Sequence, residues 1–301
     1  MLTVRFWGVR GSIPTPGPDT VIYGGNTSCL EIRADERLII IDLGSGVRPL
    51  GDWLIENDLK KYGKIKADIF LTHTHWDHIM GFPMFNPIYV PGTELKITGP
   101  VTMENDSLKS IIENQLSYNY WPVRVDELAA KIEYNQIKET TLNLGDALTV
   151  TSKFLSHPIF CFGYRVDYKG KSVATVYDHE LFRNLFTAGS ESSSLDKQTA
   201  QEGEIAAAEE NEKVRQFLKG ADIVVHDAQY TQEEYPSRVG WGHCSFDHAV
   251  EATANIGIKK LVFFHHDPAR TDSQLEQIEK GFTQNAEPQV LMAREGLLLE
   301  A

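Results

Sequence analysis

The sequence predicts an α+β fold in which two packed sheets carry helices on their outer faces. Three observations lead there. Short apolar runs of strand type recur, the clearest being Leu38-Ile39-Ile40-Ile41. The first part of the chain is rich in strands, and later strands alternate with helical patterns. The same outline then repeats: strands, a polar His/Asp cluster at a strand end, and a helix. There is no linker, low-complexity tract or internal sequence repeat, so 1–301 reads as a single domain with insertions near 101–140 and 187–215.

In chain order, Leu2 to Trp7 reads as a strand, and Gly8 to Gly25, rich in Gly and Pro, as a long loop. Ser28 to Arg33 and Leu38 to Ile41 form a hairpin through Asp35-Glu36. That second strand ends at Asp42 and meets Gly44 and Gly46, a Gly-rich turn of the kind that edges active sites. A helix is expected over Trp53 to Lys61 and a short strand over Ile69 to Leu71. Asn105 to Gln115 has apolar residues at helical spacing, and Leu148 to Leu155 is a strand. Phe160 to Tyr168 and Ser172 to Tyr177 pair around Lys169-Gly170, and Gln198 to Leu218 is helical. Asp222 to Val225 runs into His226, and Leu261 to Phe264 runs into His265. Ser245 caps the helix between them. Thr271 and Gln274 form a capping box for a helix bearing Leu275, Ile278 and Phe282. Val290 to Ala293 and Leu297 to Leu299 close the chain.

With 301 residues, 42% of them apolar and 24% charged, the composition is that of a folded protein with a large core. The net charge of −13 gives no general attraction for nucleic acid or an anionic membrane. A cation site would still allow a small phosphate substrate. Cys29, Cys161 and Cys244 are far apart and odd in number, which fits reduced thiols in a cytoplasmic protein. Arg5 and Arg10 interrupt the apolar residues at the start, so no signal-peptide core is expected, and no apolar run is long enough to span a membrane.

The strongest chemical signal is His73-Thr74-His75-Trp76-Asp77-His78. A lone histidine is ordinary core chemistry, but four metal-competent side chains within six residues call for a shared cation. On an extended backbone His73 and His75 point the same way. Asp77 and His78 reach a second ion once the chain turns. One cation would be crowded by all four, whereas two ions roughly 3.5–4 Å apart would use them fully. Further candidates sit at strand ends: His157, Asp178 and His265. We assign His73, His75 and His157 to one ion, Asp77, His78 and His265 to the other, and Asp178 to both. His179 and His266 are the neighbouring alternatives. Zn²⁺ suits this His-rich set, and Mn²⁺ or Fe also binds N/O sites without thiolates. Asp42, at a strand end beneath the cluster, is expected to support the His loop through hydrogen bonds, with Asn26, Ser28 and Gly24-Gly25 as further candidates.

HTHWDH resembles the HxHxDH signature of the metallo-β-lactamase superfamily. The resemblance covers nearly the whole chain. Ile39 to Gly44 is similar to the strand and DxG motif upstream, and His157, Asp178 and His265 match the later metal motifs in order. It implies a four-layer αββα sandwich. The commonest true β-lactamases of that family carry a cysteine at the second metal and lack a bridging carboxylate, and neither Cys161 nor Cys244 falls there.

His226-Asp227-Ala228-Gln229-Tyr230 and Gly242-His243-Cys244-Ser245 resemble motifs of the RNase Z-like and phosphodiesterase branch. Carried over, Asp227 orients His243, which protonates the leaving oxygen of a diester. Asp227 stands where RNase Z has a longer Glu, and His226 is a supporting neighbour. RNase Z proteins carry a tRNA-grasping arm between the third-His and bridging-Asp motifs. Here His157 and Asp178 are 21 residues apart, room for one hairpin only. With the acidic charge, this points away from long nucleic acid and toward a small diester such as a cyclic nucleotide. Asp77 would hold metal and help orient the attacking water. The aromatics Tyr118, Tyr120 and Trp121 with Pro122 and Arg124 are expected to wall the pocket or a subunit contact in a homodimer, or simply to pack. The alternative enzyme is a thioester or lactone hydrolase with the same dimetal centre. A non-catalytic binding protein would not need so complete a ligand set.

Overall fold

The computed structural model describes residues 1–102, 106–186, 193–282 and 288–301. Asn105, expected to open a helix, and residues 187–192 of the expected second insertion fall outside these.

β1 (Leu2–Gly8) alternates, burying Val4 and Phe6. β2 (Cys29–Ala34) and β3 (Arg37–Ile41) form the expected antiparallel hairpin. The helix that follows starts at Val47, six residues before the expected Trp53. α1 (Val47–Leu54) continues through a π turn (Ile55–Leu59) into α2 (Lys60–Tyr62). Pro49 is accommodated in the first helical turn, where a missing N–H costs nothing. Next come β4 (Lys66–Phe70), α3 (Trp76–Ile79), β5 (Glu94–Pro100), α4 (Leu108–Glu113), β6 (Lys131–Ile137) and β7 (Thr141–Gly145). The sequence reading did not contain β5, β6 or β7. β8 (Leu148–Leu155), β9 (Cys161–Tyr168) and β10 (Lys171–Val176) lead to α5 (Ser194–Leu218). β11 (Ile223–Asp227), α6 (Phe246–Thr253), β12 (Lys260–Phe264), α7 (Asp272–Phe282), β13 (Gln289–Met292) and β14 (Leu298–Glu300) complete the chain. Ser245 caps α6, and Thr271 and Gln274 exchange backbone and side-chain bonds before α7, both as expected.

Two seven-stranded sheets result, in the orders β14-β1-β2-β3-β4-β5-β6 and β13-β12-β11-β10-β9-β8-β7. Each is antiparallel at one end and parallel at the other: β3 to β6 run parallel, as do β10 to β13. The β3 run is buried on both faces, as strands in parallel sheets are. Ile39 and Ile41 face the second sheet, while Leu38 and Ile40 face helices. β12 divides in the same way: Val262 and Phe264 point between the sheets, Leu261 and Phe263 toward α6 and α7. Three apolar layers follow, one between the sheets, one under α1 and α4, one under α5, α6 and α7. This is the four-layer sandwich of two mixed sheets flanked by helices. No described helix is long and apolar enough to cross a membrane.

Parallel pairing brings strand carboxyl ends to one edge, the usual place for ligands in such sheets. Asp42 follows β3, His73 follows β4, Asp178 follows β10, Asp227 ends β11 and His265 follows β12. β8 is antiparallel to β9, itself antiparallel to β10, so His157 leaves on the same edge.

Candidate metal centre

The loop after β4 stays extended through His75 (φ −61°, ψ 152°) and then turns into α3. His73 and His75 therefore project together, their ring centroids 4.5 Å apart, and Asp77 and His78 project from the first helical turn. Two groups assemble around Asp178. His73, His75 and His157 share one space with Asp178, and Asp77, His78 and His265 share another. Asp178 faces both: Oδ2 lies 3.4 Å from His73 Nε2 and 3.8 Å from His157 Nε2, and Oδ1 lies 3.2 Å from the Nε2 atoms of His78 and His265. Asp77 Oδ2 is 3.3 Å from His78 Nε2 and 3.2 Å from His265 Nε2.

The donor set fits two divalent cations. His73 Nε2 and Asp178 Oδ1 are buried without a hydrogen-bond partner although both aim into the cluster. Orphaned buried polar atoms are costly, and two converging on one space describe ligands. The supporting bonds aim the same atoms inward. His78 Nδ1 lies 2.7 Å from Asp42 Oδ2, and His157 Nδ1 donates to the Gly242 carbonyl at 3.0 Å, leaving each Nε2 to the cluster. Asp42 is held by the Thr72 N–H (2.7 Å), the Thr72 hydroxyl (2.9 Å) and Ser28.

Charge placement is consistent with this. Burial pushes His73 well below the usual imidazole range, and His157 down to about 4. Burial also opposes charge on His78, but Asp178, Asp77 and Asp42 surround it and raise it well above that range. Burial alone would raise Asp178, yet His265, His78 and His73 hold it well below the carboxylate range.

Asp227 Oδ2 lies 2.8 Å from His243 Nδ1, and His243 Nε2 points toward the cluster, 4.0 Å from Asp178 Oδ2. The His243 ring stacks on His265 at 4.8 Å. Burial disfavours the imidazolium, but Asp227, then Asp178 and Asp77, push His243 up to about 9. The shorter Asp227 reaches its partner. His226 lies on the opposite face of β11, near Cys244, and its Nδ1 donates to the Asp227 carbonyl (2.7 Å).

His179 accepts the Ser156 N–H (3.1 Å), and His266 donates to the Ala293 carbonyl (2.8 Å), so neither joins the cluster. Asn26 bonds Glu295 and Ser45, and the Gly24 carbonyl accepts from the buried Arg10; neither touches the cluster. The 101–140 segment divides: α4 and β6 pack on the first sheet, Trp121 donates to Tyr89, and Arg124 covers the Tyr118 ring at 4.4 Å.

Several contributors were not singled out in the sequence. The Ser12 N–H donates to Asp77 Oδ2 (2.7 Å), a backbone bond that no side-chain pattern reveals. Gly11 leaves room for the His265 ring, which a Cβ would meet at 2.4 Å. Glu180 accepts from Gly240, Gly242 and Tyr235. Its signal was present: Asp178-His179-Glu180 is a buried polar run at the end of an apolar strand.

Comparison with known proteins sets this geometry in context. Residues 22–140 match the metallo-β-lactamase superfamily, and residues 203–266 match the family described as a β-lactamase superfamily domain. In solved structures, the metallo-β-lactamase fold protein YhfI from Bacillus subtilis aligns over all of both chains with a TM-score of 0.64 at 16% identity. Human tRNase Z, short form, aligns over 99% of this chain and 98% of its own with a TM-score of 0.60 at 18% identity. The chain has the metallo-β-lactamase superfamily fold. The two matched stretches carry the His73–His78 loop and the Asp227-to-His265 region of that fold, with His157 and Asp178 between them. Among curated proteins, ribonuclease Z of Streptococcus equi subsp. equi (strain 4047) is 25% identical over 272 residues, 80% of this chain and 82% of its own. Ribonuclease BN of Cronobacter sakazakii (strain ATCC BAA-894) is 26% identical over 227 residues, 67% and 71% respectively.

Proposed function

We propose that this protein is a dinuclear metal-dependent phosphodiesterase acting on a small diester such as a cyclic nucleotide. The observation that carries the reading is the Asp227–His243 pair. A buried carboxylate holds Nδ1 of an imidazole at 2.8 Å while its Nε2 faces the clustered ligands. Diester cleavage expels an alkoxide, and a protonated imidazole beside the leaving oxygen lowers that barrier. Thioesters expel a thiolate, a better leaving group than an alkoxide, and gain less from it.

His73, His75, His157 and Asp178 would hold one cation, and Asp178, Asp77, His78 and His265 the other, with Zn²⁺ the best match to five imidazoles and two carboxylates. When bound, such a pair makes water a nucleophile near neutral pH and offsets charge on the phosphoryl oxygens. The chain's own residues do the rest. Asp42 and the Gly242 carbonyl fix two imidazoles, and the Ser12 N–H leaves Asp77 one oriented carboxylate. His243 delivers the proton. Three buried, unpaired cysteines suit a reducing cytoplasm. The ribonuclease relatives and a PhnP-family diphosphatase with a TM-score of 0.61 support phosphorus-centred chemistry.

The test is turnover by metal-quantified protein of bis-p-nitrophenyl phosphate, 2′,3′- and 3′,5′-cyclic nucleotides, a thioester and a lactone. Diester cleavage is expected. Thioester or lactone cleavage without diester cleavage would replace this reading with the other hydrolase.

A further inference from the structure

The cluster opens toward solvent at His75, which is half-buried, while His73, His78, Asp178 and His265 are buried. A cavity of about 540 Å³ is lined by residues that neighbour candidate ligands in the chain. Thr74, between His73 and His75, forms one wall, and Ile159 and Phe160, just beyond His157, form another. Val101 after β5 and Ile111 of α4 supply the floor, with Asp106 at the margin. His157 Nε2 and His75 Nδ1 meet at 3.0 Å, so the two wall segments belong to loops that meet at adjacent candidate ligands. The volume is that of a small-ligand pocket.

The composition of the trough says what it accepts. Among the described residues no Lys or Arg lines it, and the one charged group is the Asp106 carboxylate. A phosphate placed there would lose its water without a cation in return and would face a like charge. Apolar side chains instead reward a neutral group. The Phe160 ring is edge-tilted on Phe154 with centroids 5.5 Å apart, and the residue stays 42% exposed, so part of its surface is open to stacking.

We infer that this trough binds a neutral, flat substituent of the substrate, an aromatic heterocycle esterified through its sugar to the scissile phosphate. The reading rests on the proposed phosphodiesterase activity and narrows it. The enzyme selects a small diester carrying one base and disfavours a strand whose next phosphate would enter the trough. Phe160 and Ile159 set this preference, and α4, reached through the 101–140 segment, is its floor.

The experiment compares adenosine 2′,3′-cyclic phosphate with the same cyclic phosphate on 1-O-methylribose, which lacks only the base. Wild-type kcat/KM is expected to favour the adenosine compound about tenfold, the scale of one base–aromatic stack. Phe160→Ala and Ile159→Asp should bring that ratio toward one, chiefly through KM, with the metal content of wild type. Phe160 is partly exposed, so its truncation is compatible with folding. A wild-type ratio near one, or a ratio that both variants leave unchanged, would overturn the inference, as would tighter binding of a 12-mer oligonucleotide than of the mononucleotide. A binding readout separates this from failure of the activity itself. If no diester is turned over, saturation-transfer NMR of adenosine on the metal-loaded protein still decides. Transfer to the base protons that disappears in Phe160→Ala supports the trough, and no transfer in wild type removes it.

Discussion

Glu180 accepts the Gly242 backbone N–H at 3.1 Å, and the carbonyl of that same glycine accepts from His157 Nδ1 at 3.0 Å. One buried carboxylate thus braces both a metal-ligand candidate and the residue preceding His243. It also takes the Gly240 N–H on both oxygens (2.8 and 2.9 Å) and the Tyr235 hydroxyl (2.8 Å). Glu180→Ala leaves these donors without a partner, which we expect to lower stability by about 2–4 kcal/mol in denaturant unfolding. Amide exchange at Gly240 and Gly242 should accelerate in the same variant. Unchanged exchange would show that the loop is held by other contacts.

Asp178 faces both groups of candidate ligands, Oδ2 toward His73 and His157 and Oδ1 toward His78 and His265. Asp178→Asn keeps its shape and removes its charge, so metal content should fall from about two per chain to below one. His265→Ala should lose only the ion shared with Asp77 and His78. Elemental analysis of the purified variants checks both. Equal loss in the two would argue against separate sites joined by one bridge.

Metal uptake should release a proton at neutral pH. Ligating imidazoles must be neutral. In the metal-free protein Asp178, Asp77 and Asp42 overcome burial and raise His78 well above the usual imidazole range, which favours its protonated form. His157, pushed by burial to about 4, is already uncharged at neutral pH and releases none. Affinity should therefore fall as pH drops and His78 holds its proton more firmly. Calorimetry in two buffers of different ionisation enthalpy measures the release. A heat independent of buffer would mean that no net proton is released, against this prediction.

If His243 protonates the leaving group, its loss should depend on what leaves. His243→Ala is expected to slow cleavage of a nucleoside diester about 10²–10⁴-fold. For bis-p-nitrophenyl phosphate, whose leaving group needs no proton, the loss should be much smaller. Asp227→Asn should follow the same pattern more weakly, since His243 Nδ1 keeps a partner at that position. Equal losses on both substrates would make His243 a binding residue.

That the His73–His78 side chains gather was legible because they are close in sequence and their spacing follows backbone geometry. That His157, Asp178 and His265 join them was legible because each follows a strand. β5, β6 and β7 were not. In β6, Lys131 and Glu133 alternate with half-buried Ile132 and Tyr134, so the edge strand looks polar. Pairing with β5 holds it in place, and that is a long-range fact. The helix was expected from Trp53, but it starts at Val47, directly after the Gly44–Gly46 turn, with Pro49 in its first turn. Likewise, the Ser12 N–H bond to the Asp77 carboxylate joins residues 65 apart through a backbone donor.

Gly11 is the sharpest case of such a hidden requirement. A Cβ there would lie 2.4 Å from Cε1 and 2.5 Å from Nδ1 of the His265 ring. The ring has little freedom to retreat. It stacks on His243 at 4.8 Å and on His78 at 5.3 Å, and its backbone is held in the left-handed region at φ +62°. Gly11→Ala should therefore displace His265 from Asp77 and His78 although it alters no ligand. We expect affinity at that ion alone to weaken about 10–100-fold, the range for changes that misorient a metal-bound histidine. A metal titration should show one strong and one weakened step. Two steps as in wild type would mean that the loop bearing Gly11 yields before the imidazole does.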